Sequence, residues 1–321
     1  MMTLAFLAGA GIQSALEPAG AQSESIANLW NFFLAVCAIV YVLVMIALVY
    51  ALVHKGRASL EESESRTPVT VVSIATGISV LLLFALLISS IVTDRRAIAG
   101  VPHNATQVIV TGRQWWWQVE YDYADKSKRI VSANEINIPV GVPVHVLVRS
   151  RDVIHSFWVP NISGKQDLIP GRDNHAVLKA TRPGVYRGEC AEFCGLQHAK
   201  MALWVNAMSP ADYAAWEKEA RQPARLAATP QQRKGQEVFM SSPCPLCHNI
   251  GGTNAAGRTA PDLTHFASRR SIAAGTLPNR RGYLAGWIID PQHFKPGTQM
   301  PPMLLHSGEL EPLLDYLESL Q

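Results

Sequence analysis

The sequence predicts a multidomain membrane protein: a two-helix transmembrane hairpin, then an all-β sandwich, then a small all-α domain. Three observations predict it. Residues 29–53 and 69–92 contain no Asp, Glu, Lys or Arg, although 17% of the 321 residues are charged. Between residues 100 and 208 the pattern changes to short alternating apolar runs broken by Pro and Gly, the mark of many short strands. After residue 230 a C-x-x-C-H motif precedes helical patterning that ends in the amphipathic stretch Glu309–Leu320. The uncharged runs exclude a fully soluble globule, and their number excludes a polytopic transporter. A dispersed formal charge of +3 argues against a nucleic-acid binder.

Residues 1–21 read as a signal peptide. A short apolar run leads to the small-residue cleavage pattern Ala19-Gly20-Ala21, although the usual positive n-region is missing. The anchor occupies residues 25–99. Its two apolar stretches, Leu29–Val53 and Val69–Val92, hold 25 and 24 residues, each more than the ~20 that a hydrocarbon core needs. The second starts just after Pro68, a residue suited to a first helical turn. The loop between them carries Lys55, Arg57 and Arg66, against Arg95 and Arg96 after the second stretch. Counting Lys and Arg therefore favours a cytoplasmic loop only slightly.

In the β domain, residues 100–208, Val108–Val110 leads through Gly112 into the triplet Trp115-Trp116-Trp117, and Val144, Val146 and Val148 alternate with His145 and Arg149. The triplet also fits an ordinary aromatic core on alternating strand faces. The domain closes on Cys190-x-Glu192-x-Cys194-x3-His198-x2-Met201, and His155 lies upstream. Thiolates, imidazoles and a thioether are soft or borderline ligands that suit copper better than magnesium or calcium. Two cysteines in one loop suggest two coppers bridged by both thiolates, each with one imidazole. The residues also allow a Cys190–Cys194 disulfide, or zinc on two Cys and two His.

Residues 209–232 form a linker with a short helical piece. In the last domain, residues 233–321, Cys244-Pro-Leu-Cys247-His248 is the attachment signature of c-type haem. Two thiols can each add to one vinyl group, with the next imidazole under the iron. A redox dithiol is the plainer reading; a zinc ribbon would need a second cysteine pair. The sixth iron ligand in such domains is commonly Met. Met300 is the candidate and Met303 the runner-up.

Four motifs in order carry a resemblance over residues 25–208: Gly112-Arg-Gln114 with the Trp triplet, His155-Ser-Phe-Trp-Val-Pro160, Asp167-Leu-Ile-Pro-Gly-Arg172, and the Cys190–Met201 loop. They resemble subunit II of the haem–copper cytochrome c oxidases, and residues 233–321 resemble class I cytochrome c. The resemblance implies a cupredoxin Greek-key sandwich holding a binuclear CuA centre. Its ligands would be His155, Cys190, Cys194, His198, Met201 and the backbone carbonyl of Glu192. The Glu192 side chain would also lie near a magnesium ion at the border with subunit I. Trp115, with Trp116 as second choice, matches the family's electron-entry aromatic. One departure stands out: many relatives carry a Glu near the start of the second helix for a proton path, whereas here the nearest acid is Glu64, before the helix.

Haem attachment to C-x-x-C-H occurs outside the cytoplasm, so residues after about 94 are expected on the periplasmic side of a bacterial inner membrane. The joint expectation is subunit II of a caa3-type oxidase. Electrons would pass from an external cytochrome c or a quinol–cytochrome c reductase through haem c and CuA to haem in subunit I, with subunit III as a further partner. Oxygen reduction and proton translocation would take place in subunit I, since this chain holds no catalytic residue for them. A subunit of a CuA-containing nitric oxide reductase and a membrane-tethered electron carrier are the other classes. Residues 100–208 hold 12 Lys/Arg against 9 Asp/Glu, unlike the acidic face that recruits a free basic donor.

Overall fold

A computed structural model describes residues 11–54, 67–98, 107–123 and 129–321. The loop residues Lys55, Arg57, Glu64 and Arg66 lie outside them, as do residues 1–10 of the expected signal peptide. The chain folds as two units, one holding the two long helices from Glu24 onward and the other everything else.

The first unit consists of α1 (Ala21–Val53, 33 residues) and α2 (Thr67–Ile98, 32 residues). Both run past the uncharged stretches expected from sequence, α1 by about two turns at its start and α2 by more than a turn and a half at its end. A charge count marks where hydrocarbon must end, but helical hydrogen bonding continues through polar residues. Each helix has an apolar span long enough to cross a membrane, and none of that span is buried within the protein. Three hydroxyls within or beside it are satisfied locally. The hydroxyls of Ser79, Ser89 and Thr93 donate to the carbonyls of Ala75, Ala85 and Ser89, so these three require no partner helix.

The β domain packs two five-stranded sheets face to face. Its strands are β1 (Gln107–Arg113), β2 (Trp116–Asp122), β3 (Ile130–Ala133), β4 (Glu135–Pro139) and β5 (Val144–Ser150), followed by β6 (His155–Trp158), β7 (Gln166–Leu168), β8 (Asn174–Leu178), β9 (Gly184–Cys190) and β10 (Ala202–Met208). One sheet runs β3-β2-β1-β5-β8 and the other β4-β10-β9-β6-β7. Period-two alternation sets the core: along β2, Trp117, Val119 and Tyr121 are buried while Trp116, Gln118 and Glu120 are not. Helix α3 (Pro210–Ala220) follows, capped by Ser209. Its Trp216 ring sits 5.0 Å from Tyr121, so the start of the linker belongs to this core.

The pattern Ala19-Gly20-Ala21 is folded into the same domain. Ala19 is 1% exposed within the sandwich core. Its amide donates to Asn161 O, its carbonyl accepts from Thr181, and Gly20 bridges to Ala180. A Cβ on Gly20 would meet the Ile162 carbonyl oxygen at 2.4 Å.

The last domain is helical: α4 (Pro230–Ser241), α5 (Cys244–Cys247), α6 (Arg281–Ile289), α7 (Pro291–Phe294) and α8 (Leu310–Leu317). Helix α4 opens on a capping box between Thr229 and Gln232. It crosses α8 at Gly235, where a Cβ would lie 1.9 Å from the Pro312 carbonyl oxygen. Leu313, Leu314 and Leu317 of the amphipathic stretch close the core against Phe239, as their 3.6-residue spacing requires.

Candidate metal and haem sites

Every expected copper ligand converges at one end of the sandwich. Cys190 ends β9, Met201 precedes β10, and a short turn at His198–Lys200 lies between them. His155 opens β6, which pairs with β9 so that Phe157 faces Cys190. Cys190 Sγ lies 3.8 Å from His155 Nδ1, 3.7 Å from Cys194 Sγ and 3.2 Å from the Glu192 carbonyl oxygen. Cys194 Sγ lies 3.6 Å from His198 Nδ1 and 3.8 Å from Met201 Sδ. Both cysteines are free and buried, which sets aside the disulfide alternative. The ligand atoms of His155, Cys190 and Cys194 all fall within 4.8 Å of one another. Two central sulfurs, each facing one imidazole nitrogen, with a thioether and a carbonyl at the ends, fit a pair of coppers. A single zinc would leave donors over.

Residues outside the expected set hold these ligands in place. Asp152 Oδ1 accepts from His155 Nε2 at 2.7 Å, which leaves Nδ1 with its lone pair toward the sulfurs. Burial would raise the Asp152 pKa, but hydrogen bonds from His155 and from the amides of Gln114 and Val153 hold it below the usual carboxylate range. The hydrogen bond from Cys194 is the main reason that the Cys190 thiol is held well below its usual pKa, with His155 and backbone bonds adding to it against burial. Gly112 leaves room beneath the imidazole, since a Cβ there would come within 2.8 Å of His155 Cδ2. The Asp-x-x-His spacing was a usable signal for Asp152, and Gly112 opens the motif that leads into the Trp triplet.

The Trp triplet divides into three roles. Trp115 sits in the β1–β2 turn, and its indole Nε1 donates to Cys194 O at 3.0 Å, beside a 2.8 Å bond from Gln114 Nε2 to the same oxygen. Trp116 lies under the Arg113 guanidinium, 5.5 Å from the ring centroid. Trp117 is wholly buried, donates to Met201 O, and stands 6.1 Å from the His155 ring.

The haem-binding motif lines a cavity in the helical domain. Cys244, Cys247, His248 and Met300 all line it, as does Met303, so both methionines face the same space. The His248 Nδ1 lies 2.7 Å from the Pro261 carbonyl oxygen. A carbonyl can only accept, so Nδ1 carries the proton and Nε2 is left free to bind iron. Burial chiefly holds the His248 pKa below its ordinary value, which keeps the imidazole neutral for that task. Two thiols, a pre-oriented imidazole and a thioether around one apolar cavity fit a covalent haem. Its wall is completed from the β domain by Trp115 and Trp116.

Residues 106–208 match the family of the cytochrome c oxidase subunit II periplasmic domain, and residues 232–321 match cytochrome c. Over 96% of its length the chain is 35% identical to cytochrome c oxidase subunit 2 of Alkalihalophilus pseudofirmus, covering 91% of that protein. The chain belongs to the cytochrome c oxidase subunit 2 family. The subunit 2 protein of Bacillus sp. strain PS3 is 32% identical, over 77% of this chain and 73% of its own. The periplasmic domain of subunit II of cytochrome oxidase from Bradyrhizobium japonicum is 30% identical, with a TM-score of 0.35 over 38% of this chain and 97% of that one. As a subunit 2 chain fused to a cytochrome c domain, the protein is a caa3-type electron-relay subunit of a haem–copper terminal oxidase. It joins subunit I, and the two domains imply CuA copper and haem c. It is membrane-anchored with an external domain.

Proposed function

We propose that electrons enter this subunit at Cys244–Cys247–His248, cross by way of Trp115, and leave through the Cys190–Met201 loop toward subunit I. When bound, haem c and the two-copper centre supply one-electron carriage with little nuclear rearrangement. The residues do the positioning. Pro261 fixes the His248 tautomer and Asp152 fixes that of His155. Cys190, Cys194, His155, His198, Met201 and the Glu192 carbonyl would hold the pair of coppers. Met300 would hold the haem iron together with His248. The observation that carries this reading is the place of Trp115, whose indole bonds the carbonyl of a copper-loop cysteine while its ring forms part of the haem cavity wall.

The remaining assignments follow from the chemistry. C-x-x-C-H maturation outside the cytoplasm puts both domains on the periplasmic side, with residues 54–67 cytoplasmic. The donor is an external cytochrome c or a quinol–cytochrome c reductase, and subunit III accompanies subunit I. The Glu192 carboxylate contributes to a magnesium site completed by subunit I. Metal and haem analysis of the purified complex, with its subunits identified, tests the whole. Covalent haem with a two-copper signal is the expected result, and covalent haem without copper refutes it.

A further inference from the structure

The β domain and the helical domain meet along a strip that runs beside both candidate sites. Lys295 lies at its centre. It follows α7 and begins the loop that carries Met300, and only 2% of it is exposed. Its ammonium donates to three backbone carbonyls: Trp115 O at 2.7 Å, Lys200 O at 2.7 Å and Ala273 O at 3.0 Å. Two of those carbonyls belong to the copper domain. One is on the tryptophan that reaches both sites, and the other lies inside the ligand loop between His198 and Met201. The third belongs to the haem domain. Burying a lysine without a carboxylate costs several hydrogen bonds to water unless each donor is satisfied; here all three are.

The haem domain is shaped to this contact. Ala273 and Ala274 both adopt left-handed backbone, φ 53° and 57°, a conformation that costs a residue with a Cβ. That turn presents Ala273 O to Lys295 and Ala274 O to the Ala202 amide at 3.0 Å. On either side Gln197 Nε2 donates to Pro296 O, the Lys200 ammonium to Phe294 O, Trp204 Nε1 to Ser271 Oγ, and the Arg270 amide to Glu135 Oε1. Gly297 lies over the Trp115 ring, where a Cβ would come to 3.7 Å of it.

We infer that Lys295 is a positioning residue for electron transfer within this subunit, pinning the Met300 loop to Trp115 and the copper loop so that the haem domain works from one docked position. The inference rests on the relay proposed above and adds that the tethered domain does not move between turnovers. Burial and the neighbouring Lys200 push the Lys295 pKa down to about 7. A neutral amine would still offer two N–H donors, enough for two of the three carbonyls.

The test is flash-initiated haem-to-copper transfer in the intact complex, at several solvent viscosities set with glycerol. In the unaltered protein the rate should not change with viscosity. In Lys295→Met it should fall about tenfold, the population shift expected from losing hydrogen bonds across a docked pair. It should also become viscosity-dependent, because the domain must now diffuse back, while the optical spectra and potentials of both centres stay as they were. Lys295→Gln, which keeps two donors, should restore part of the rate and serves as the assay if the Met variant does not accumulate. A Lys295→Met complex with the original, viscosity-independent rate overturns the inference and leaves the relay intact. No haem-to-copper transfer in the unaltered protein overturns the relay itself.

Discussion

The sulfur of Cys194 faces Cys190, His198 and Met201, while its carbonyl oxygen accepts from Gln114 and Trp115. A Cys194→Ser variant keeps that carbonyl and removes only the soft bridging donor. The delocalised two-copper signal should vanish from near-infrared and electron paramagnetic resonance spectra, with haem c still reducible; an unchanged band would refute the ligand assignment. Met300 and Met303 share one cavity wall, so function has to separate them. Met300→Leu should alter the axial ligation of the haem and lower its potential in a redox titration, because thioether ligation raises it. Should Met303→Leu alone do so, the sixth ligand is Met303.

At the scale of elements, the α4–α8 crossing is the tightest backbone approach in the haem domain. Gly235 touches the Pro312 carbonyl, and Phe239 meets Tyr316 edge-on at a centroid distance of 6.1 Å. A methyl group at 235 would run into the Pro312 backbone and the Tyr316 Cβ, neither of which is the movable end of a flexible side chain. Gly235→Ala should therefore cost about 3 kcal/mol, the upper end of overpacking, seen as a lower melting temperature of the haem domain with the copper spectrum unchanged. The half-buried Arg281, which links α6 to Glu311, Asp315 and Glu318 of α8 and its end, contributes less to the same packing because water and salt screen it.

For the whole molecule, a tethered and docked donor replaces electrostatic steering with a high effective concentration. Transfer from haem c to CuA should therefore be nearly independent of ionic strength, and a steep loss of that intramolecular rate with added salt would contradict a docked donor. The copper loop and the haem motif were legible because their cysteines and histidines are close in sequence, in spacings that suit metal and haem binding. Strand alternation placed Trp117, Val119 and Tyr121 inside for the same local reason. What escaped was long-range. Asp152 approaches Gln114 from 38 positions away, and Lys295 reaches Trp115 from 180. Neither apolar periodicity nor motif spacing carries any trace of such pairs. Ala19 escaped for a different reason: small residues that signal a protease are the same residues that fit a crowded core.

That last contact bears on how the outer portion can be produced in isolation. A fragment cut to begin at residue 100 leaves behind the piece that occupies the slot between Asn161–Ile162 and Ala180–Thr181. Such a fragment should aggregate or melt early, and a synthetic peptide spanning residues 11–23 should restore it in trans. Grafting that peptide onto the fragment by a flexible tether should give a soluble two-centre protein that needs no detergent.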